Sequence, residues 1–300
     1  MSTSLRQRGM FAFICFVWGT TWLGMKIGIA AVPPGVFAGQ RWTVCGVILL
    51  TLLRLRGHRV LPPPRLLPRL VFVSVFLITL NQVIQLYGLK YITAGLAAVI
   101  SSALTPVALL GFAVLLGQER FTWRQVGAIA LGIAGVLTLF GPAALAGTLD
   151  LWELVGAGGV TIGCLCYSFG SVLTRPMMRT IAPVQLAGLT GLIGGSILLS
   201  ASLLLEPGGW DALRLHWGWS AWLAWLYLLI PGSLISTTMY FLLVRDWGAS
   251  KPGTYAFISP VIAVIVGCSL FGEKLHWPDA LGMALMLSGA GLALRRGPQS

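Results

Sequence analysis

The sequence predicts an all-α integral membrane protein in which ten transmembrane helices form two inverted five-helix repeats. Three observations lead to this prediction. The 300-residue chain is 57% hydrophobic and 9% charged, whereas soluble domains carry about 25% charged residues. Its apolar residues group into ten runs long enough to cross a bilayer, and a motif around Pro106 recurs around Pro260. Lipid is therefore the expected solvent for most of the chain.

The predicted spans follow from the apolar runs, each close to the roughly 20 residues that a bilayer requires. They cover residues 10–32, 36–53, 69–89, 93–116, 123–140, 153–174, 184–205, 219–244, 253–271 and 278–294. Short connections between them hold most of the Gly-Pro turn signals. The first run is longer than the apolar core of a signal peptide and contains Lys26, so we interpret it as a span of the mature protein.

The basic residues are distributed unequally between the two sides of this topology. Of the 20 lysines and arginines, 15 lie in the N-terminal segment, the loops after spans two, four, six and eight, and the C-terminal segment. Cytoplasmic loops accumulate Lys and Arg, so both termini are predicted to be cytoplasmic. The net charge of +12 is interpreted as a topology signal. It implies attraction to anionic lipid headgroups as a secondary effect, and no nucleic-acid partner.

Metal and disulfide chemistry have no support in the sequence. All five cysteines lie within apolar spans, and the pair Cys164 and Cys166 has neither a metal-ligand spacing nor a histidine nearby. We interpret the cysteines as small buried hydrophobic residues. No metal, cofactor or catalytic residue is predicted.

The repeated motif divides the chain into two halves, predicted as residues 1–145 and 146–300. When Pro106 is aligned with Pro260, Glu119 aligns with Glu273 and Trp123 with Trp277, without a gap. Five spans per half is an odd number, so the second half must enter the membrane from the opposite side. Inverted repeats of this kind are typical of transporters, whose solute site lies near the bilayer midplane between the repeats.

Four residues of the repeat are hinge or gate candidates: Pro106, Pro260, Glu119 and Glu273. A proline inside a span breaks one backbone hydrogen bond, which gives either a static kink or a hinge. Pro231-Gly232 in span eight offers a further bend. The glutamates end spans four and nine, where a structural role at the helix ends and a gating role both remain open.

The predicted cavity is defined by polar and aromatic residues that lie within the spans. Asn81 and Gln85 are four residues apart, on one face of span three. Buried amides are costly unless they meet partners or water, so they bind either substrate or neighbouring helices. The candidate substrate-binding residues are Trp18, Trp22, Asn81, Gln85, Ser102, Tyr167, Thr237, Tyr240 and Tyr255.

Acidic residues are absent from the deep part of every predicted span. A cavity of amides, hydroxyls and aromatic faces suits neutral or zwitterionic solutes, because a cationic drug needs a counter-charge. Lys26 and Arg41 lie inside spans near the outer end, where long stems can snorkel to the surface. If either one faces the cavity, it would attract an anionic group. No ATP-binding loop of the G-x-x-x-x-G-K-[ST] type is present.

Three stretches, WGTTWLGMKIG, GQERFTWRQVGAIALGIAGVLTL and GEKLHWPDALGMALMLSGAGLAL, resemble the EamA-type transporters of the drug/metabolite transporter superfamily. The resemblance covers nearly the whole chain. It implies a bacterial inner-membrane exporter of amino acids, aromatic ones included, and related metabolites. It also implies a central cavity built from spans one, three, four, six, eight and nine.

Two other functions remain as alternatives to amino acid export. The same fold could export drugs or other small metabolites, although the missing deep carboxylate argues against cationic ones. A lipid-modifying membrane enzyme would need clustered histidines, acids or metal ligands, and the three histidines are scattered. The sequence fits a monomer but does not determine the oligomeric state. It also leaves open the coupling ion and the face that is open at rest.

Overall fold

The computed structural model describes residues 3–145, 150–262 and 277–294, and within these ranges all regular secondary structure is helical. Besides one short helical turn, Gly209–Ala212, the described helices are α1 (Thr3–Ala31), α2 (Pro34–Leu55), α3 (Pro64–Tyr91), α4 (Ala94–Leu115), α5 (Trp123–Leu145), α6 (Leu151–Met177), α7 (Pro183–Leu205), α8 (Trp219–Trp247), α9 (residues 250–262, the described part of span nine) and α10 (Trp277–Leu294).

Seven of these helices, α1 to α4 and α6 to α8, are long and apolar enough to cross a membrane. Helices α5 and α10 contain shorter apolar stretches, Trp123–Thr138 and Ala280–Ala293. An all-helical membrane protein is therefore confirmed, whereas the ten-helix inverted arrangement remains a prediction. Helix α1 begins at Thr3 rather than near residue 10, because hydropathy marks the part of a helix that lies in lipid and not the helix end.

The helix starts follow local chemistry that the sequence encodes. Helices α2, α3 and α7 begin with proline. Proline lacks the backbone N–H, and at the first position of a helix that N–H has no partner within the helix, so its absence costs nothing. Helix α6 begins with a capping box, in which the Asp150 carboxylate accepts the Trp152 N–H at 2.9 Å and Glu153 accepts the Asp150 N–H at 3.3 Å. These starts place the helix ends at the predicted connections.

Two helices contain a wide π-helical segment, Val75–Leu80 in α3 and Leu228–Ile235 in α8. Pro231 lies in the second segment, and the Ser236 hydroxyl donates to its carbonyl at 2.7 Å. Wide turns change the helical register and leave carbonyls free for other donors, which is why they are frequent at functional sites. Both segments lie on helices that line the central cavity.

The most extensive helix contacts are those between α2 and α7 and between α5 and α10. Glycines allow the backbones to approach closely at these interfaces. A Cβ atom on Gly46 of α2 would lie 2.3 Å from the backbone nitrogen of Leu192 in α7, and one on Gly135 of α5 would lie 2.6 Å from the Gly282 carbonyl oxygen in α10. Small residues serve helix association in lipid in this way.

We expect Gly46→Ala to destabilise the protein by about 1–3 kcal/mol, the usual cost of overpacking a well-packed interior. The added methyl would meet backbone atoms of α7, which cannot move as a side chain can. Gly111→Ala is the matched control, because Gly111 also lies within a helix but has open space around it. Thermal unfolding of the two purified variants checks this. Equal midpoints for both would contradict the packing argument.

Candidate functional site

A central cavity of about 300 Å³ lies between α1, α2, α3, α4, α6, α8 and α9. Its size is at the lower end of the range for small-molecule sites. All nine candidate substrate-binding residues lie on its wall: Trp18, Trp22, Asn81, Gln85, Ser102, Tyr167, Thr237, Tyr240 and Tyr255. The structure thus brings the candidates together around one space, and their role in binding a solute stays a prediction.

Four aromatic side chains from four helices form a cluster on this wall, which we call the aromatic cluster: Trp18, Tyr167, Tyr240 and Tyr255. The Trp18 ring lies 4.6 Å from the Tyr255 ring and 5.2 Å from the Tyr240 ring, measured between centroids. Tyr167 lies 6.1 Å from Tyr240. These separations are typical of favourable aromatic pairs. The cluster therefore joins α1, α6, α8 and α9 at the cavity.

Hydrogen bonds hold part of the aromatic cluster in place. The Trp18 indole N–H donates to the Gly232 carbonyl at 3.1 Å, a carbonyl of the π-helical segment in α8. The Tyr240 and Ser171 hydroxyls are hydrogen-bonded at 2.8 Å. The Tyr167 hydroxyl is buried and has no partner among the described residues. The cluster thus presents ring faces and tyrosine hydroxyls to the cavity.

The two amides of α3 have different surroundings. The Gln85 amide donates to the sulfur of Cys164 in α6 at 3.7 Å. The Asn81 amide nitrogen donates to the Leu77 carbonyl at 3.2 Å, but its side-chain oxygen is buried without a partner among the described residues. A buried polar atom without a partner costs about 1–3 kcal/mol. Asn81 thus has a buried acceptor without a described partner, and no hydrogen bond to the side-chain oxygen of Gln85 is described either.

The two basic residues inside the spans have separate roles. Lys26 does not line the cavity, because its ammonium group donates to the carbonyls of Leu89 and Ile92, at 2.6 and 2.8 Å, where α3 ends. Arg41 lies on the cavity wall with 4% of its surface exposed. It is the one formally charged residue on the described wall. An outward-pointing Arg41 is therefore excluded, and the cavity contains a cation.

Two glutamates connect the predicted halves at the ends of the helices. Glu119, after α4, accepts the N–H groups of Ala249 and Ser250 at 2.9 and 3.2 Å and also accepts the Ser250 hydroxyl. It therefore caps the start of α9, which is in the other predicted half. The contact is a helix cap that joins the two predicted halves, and a gating role for Glu119 stays a prediction.

Glu206, after α7, makes the corresponding contact in the opposite sense. It accepts the N–H groups of Gly35 and Val36 at 2.9 and 3.1 Å, and the Tyr87 hydroxyl at 2.6 Å. The sequence analysis missed Glu206. The signal that could have found it is an acidic residue directly after an apolar run; Glu119 lies in a similar place, three residues after Leu116.

The remaining hinge and gate candidates differ in how far the structure describes them. Pro106 lies inside α4, which stays helical throughout. Pro260 lies in a helical part of α9 and on the cavity wall. Glu273 lies outside the described residues. Within the described ranges, no group of three His, Cys, Asp or Glu side chains could hold a metal ion.

Known proteins resemble this chain along almost its full length. It is 31% identical to "Uncharacterized inner membrane transporter YedA" of Escherichia coli, over 93% of this chain and 87% of that protein. It is 27% identical to "Uncharacterized transporter YvbV" of Bacillus subtilis, over 93% and 88% of the two chains. One crystal structure matches with a TM-score of 0.78 and 21% identity over 96% of both chains, which supports the fold alone.

The model of the EamA-like transporter family matches residues 8–141 and 154–295. These segments contain every residue on the described cavity wall. The match agrees with the resemblance of the three sequence stretches quoted above. With its membrane-length helices and its central cavity, the chain belongs to the EamA-like transporter family.

Proposed function

We propose that the protein is a bacterial inner-membrane exporter of amino acids, aromatic and other neutral ones, that works by alternating access. The observation that carries this proposal is the composition of the cavity wall. Aromatic rings from five helices surround a space that also presents amides and hydroxyls, and the described wall contains no Asp or Glu. Such a wall suits a zwitterion with an apolar side chain and suits a cationic drug poorly.

The preference for aromatic amino acids has two supports. The aromatic cluster offers edges and faces of rings to a planar side chain, and such contacts are worth about 0.5–1.5 kcal/mol each beyond the area they bury. The motifs of the chain also resemble those of the aromatic amino acid exporter YddG. Efflux of other small metabolites is the alternative within the same fold.

The proposed topology has cytoplasmic termini and two inverted halves, residues 1–145 and 146–300. The bias of the basic residues supports the orientation. The packing supports the two halves, because α2 pairs with α7 and α5 pairs with α10. The first pair joins the second helices of the two halves and the other pair joins their fifth helices, as expected for a pseudo-two-fold axis in the membrane plane.

The proposed gates are the carboxylate contacts at the helix ends. Glu119 binds the backbone of the other half at the start of α9, and Glu206 does so at the start of α2. Alternating access requires contacts of this kind to form and break in turn. Pro106 and Pro260 are the proposed hinges, and Glu273 is a gate candidate on sequence grounds. Release from one end would then accompany closure at the other.

The proposal is tested with the purified protein in liposomes preloaded with radiolabelled L-phenylalanine. Liposomes that contain the wild-type protein should release the label faster than preloaded liposomes without protein. In Asn81→Leu, release should fall about tenfold, because a hydrogen bond to the solute is lost. The thermal midpoint should hold or rise, because the change removes a buried acceptor that has no described partner.

Gln40→Leu is the matched control for this experiment. The Gln40 side-chain oxygen is also buried without a described partner, but Gln40 does not line the cavity. Release from Gln40→Leu liposomes should equal that of the wild type. If liposomes with the wild-type protein release amino acids no faster than liposomes without protein, export as proposed is refuted.

A further inference from the structure

Arg41 lies two turns into α2, which begins at Pro34. With a rise of about 1.5 Å per residue, it lies roughly 10 Å from the helix start. Long side chains can reach water from this depth by snorkelling, but the Arg41 side chain turns into the protein and is 4% exposed. Its position on the cavity wall therefore calls for an explanation other than solvation.

The described contacts of the Arg41 guanidinium are all to neutral groups. One terminal nitrogen donates to the Ser233 hydroxyl at 2.9 Å and, more distantly, to the Leu228 carbonyl at 3.5 Å. The other donates to the side-chain oxygen of Gln82 at 2.7 Å. The Trp42 ring centroid lies 5.2 Å from the guanidinium carbon. These contacts orient the group but do not neutralise its charge.

Two further observations show that the guanidinium has capacity for another partner. Its Nε–H is buried and has no acceptor among the described residues. The described part of the chain contains two ion pairs, Arg214 with Asp211 and Arg245 with Asp246, and Arg41 is in neither. An arginine stays charged in proteins, and a buried charge without a counter-ion is costly. A wall position that retains such a charge fits an anionic ligand.

The groups beside Arg41 match the other parts of an amino acid. Gln82, which holds the guanidinium, is preceded by Asn81, whose side-chain oxygen lacks a described partner. Ser233, which also contacts the guanidinium, follows Gly232, whose carbonyl holds the Trp18 indole. A cation, a free acceptor and an aromatic cluster thus line one cavity, and they suit a carboxylate, an ammonium group and an aromatic side chain.

We propose that the Arg41 guanidinium is the carboxylate subsite of the cavity. It selects solutes with a free carboxylate and rejects the corresponding amines and amides. This inference rests on the proposed function for the identity of the solute, and it specifies which end of the molecule the cavity recognises. Arginine suits the task because its planar fork of N–H groups binds a carboxylate with two parallel hydrogen bonds.

The test uses four compounds that share one phenyl ring: L-phenylalanine, 3-phenylpropionate, L-phenylalaninamide and phenethylamine. The first two carry a carboxylate and the last two do not. Binding to the purified protein is measured as the concentration-dependent rise of the unfolding temperature, since a ligand of the folded state stabilises it. Release from preloaded liposomes is measured separately for L-phenylalanine and phenethylamine.

The variants are Arg41→Gln, Arg41→Lys and, as a control, Arg54→Gln. Arg54 lies in the last turn of the same helix and is exposed. The wild type and Arg54→Gln should bind the two carboxylates and should not bind the amide or the amine. Arg41→Gln should bind the carboxylates about 10- to 100-fold more weakly, the range for losing a charge-assisted hydrogen bond. Arg41→Lys, which keeps the charge but loses the fork, should be intermediate.

The inference is overturned if the wild type binds phenethylamine as well as it binds 3-phenylpropionate, if it binds none of the four compounds, or if Arg41→Gln keeps full affinity for the carboxylates. The comparison of compounds on the wild type needs no variant, so a failure of Arg41→Gln to fold does not remove the test. Binding of carboxylates without any release from liposomes would refute export and leave the subsite intact. Equal release of phenylalanine and phenethylamine would refute the subsite and leave transport intact.

Discussion

Replacing Trp18 with alanine should reduce the release of aromatic amino acids from liposomes about 100-fold. Trp18 is the centre of the aromatic cluster, with Tyr255 at 4.6 Å and Tyr240 at 5.2 Å, and its indole N–H holds the Gly232 carbonyl at 3.1 Å. A solute against Trp18 and the two rings that it positions would lose up to three ring contacts at about 0.5–1.5 kcal/mol each, which is about 3 kcal/mol of binding or two orders of magnitude.

The reading of this experiment depends on separating lost binding from lost stability. Trp18 is half-buried, and a fully buried Trp→Ala change costs about 3–5 kcal/mol of folding free energy, so the unfolding temperature must be measured on the same preparation. Trp18→Phe keeps a ring and loses the N–H donor, and it should lose less transport. Trp123→Ala is the control, because Trp123, at the start of α5, is 81% exposed and does not line the cavity. Unchanged phenylalanine release in a folded Trp18→Ala protein would refute the role of the aromatic cluster.

Replacing Glu119 with alanine should destabilise the protein by about 2–3 kcal/mol and should slow exchange of the solute across the membrane. The change leaves the N–H groups of Ala249 and Ser250 without their acceptor at the start of α9. Losing a helix cap costs about 0.5–2 kcal/mol, and an unpaired N–H at a half-buried site adds to this. Thermal unfolding and counterflow measure the two effects on one preparation.

Glu153→Ala is the control that isolates the contact between halves. Glu153 belongs to the capping box of α6 and bonds within its own helix, to the Asp150 N–H. Both variants lose a cap, but only Glu119→Ala loses a bond between the two predicted halves. If the contact acts as a gate, exchange slows in Glu119→Ala and not in Glu153→Ala. Equal effects on exchange would indicate that Glu119 is a cap alone.

The membrane fold could be predicted from the sequence because lipid imposes long apolar helices. The apolar runs mark seven helices that the structure describes at membrane length, and proline or a capping box marks several of their starts. The π-helical segment Val75–Leu80 could not be predicted, because it contains no proline or glycine and depends on how α3 packs against its neighbours. The segment in α8 could be anticipated from Pro231-Gly232.

The wall of the candidate site could be predicted because polar and aromatic residues within membrane-spanning helices gather in the protein interior, away from lipid. Asn81 and Gln85 were found by this rule. The direction of Arg41 could not be predicted, because depth alone allows both snorkelling and burial. The partners that decide it, Gln82 and Ser233, lie far along the chain and meet Arg41 only in the folded protein. The hydrogen bonds that Glu206 accepts from Gly35 and Val36 likewise depend on residues far apart in the chain.

The close approach of α2 to α7 has a consequence for how this protein can acquire new substrates. Because backbone atoms fill the space beside Gly39, Gly46 and Gly195, even an added methyl group at these positions destabilises the helix packing. Sequence variants that survive selection for altered transport should therefore leave these glycines unchanged and accumulate at cavity positions such as Ala98 and Thr237, where the neighbouring space is empty. The close α2–α7 interface thus restricts which substitutions are accepted, whereas the wall of the central cavity can vary.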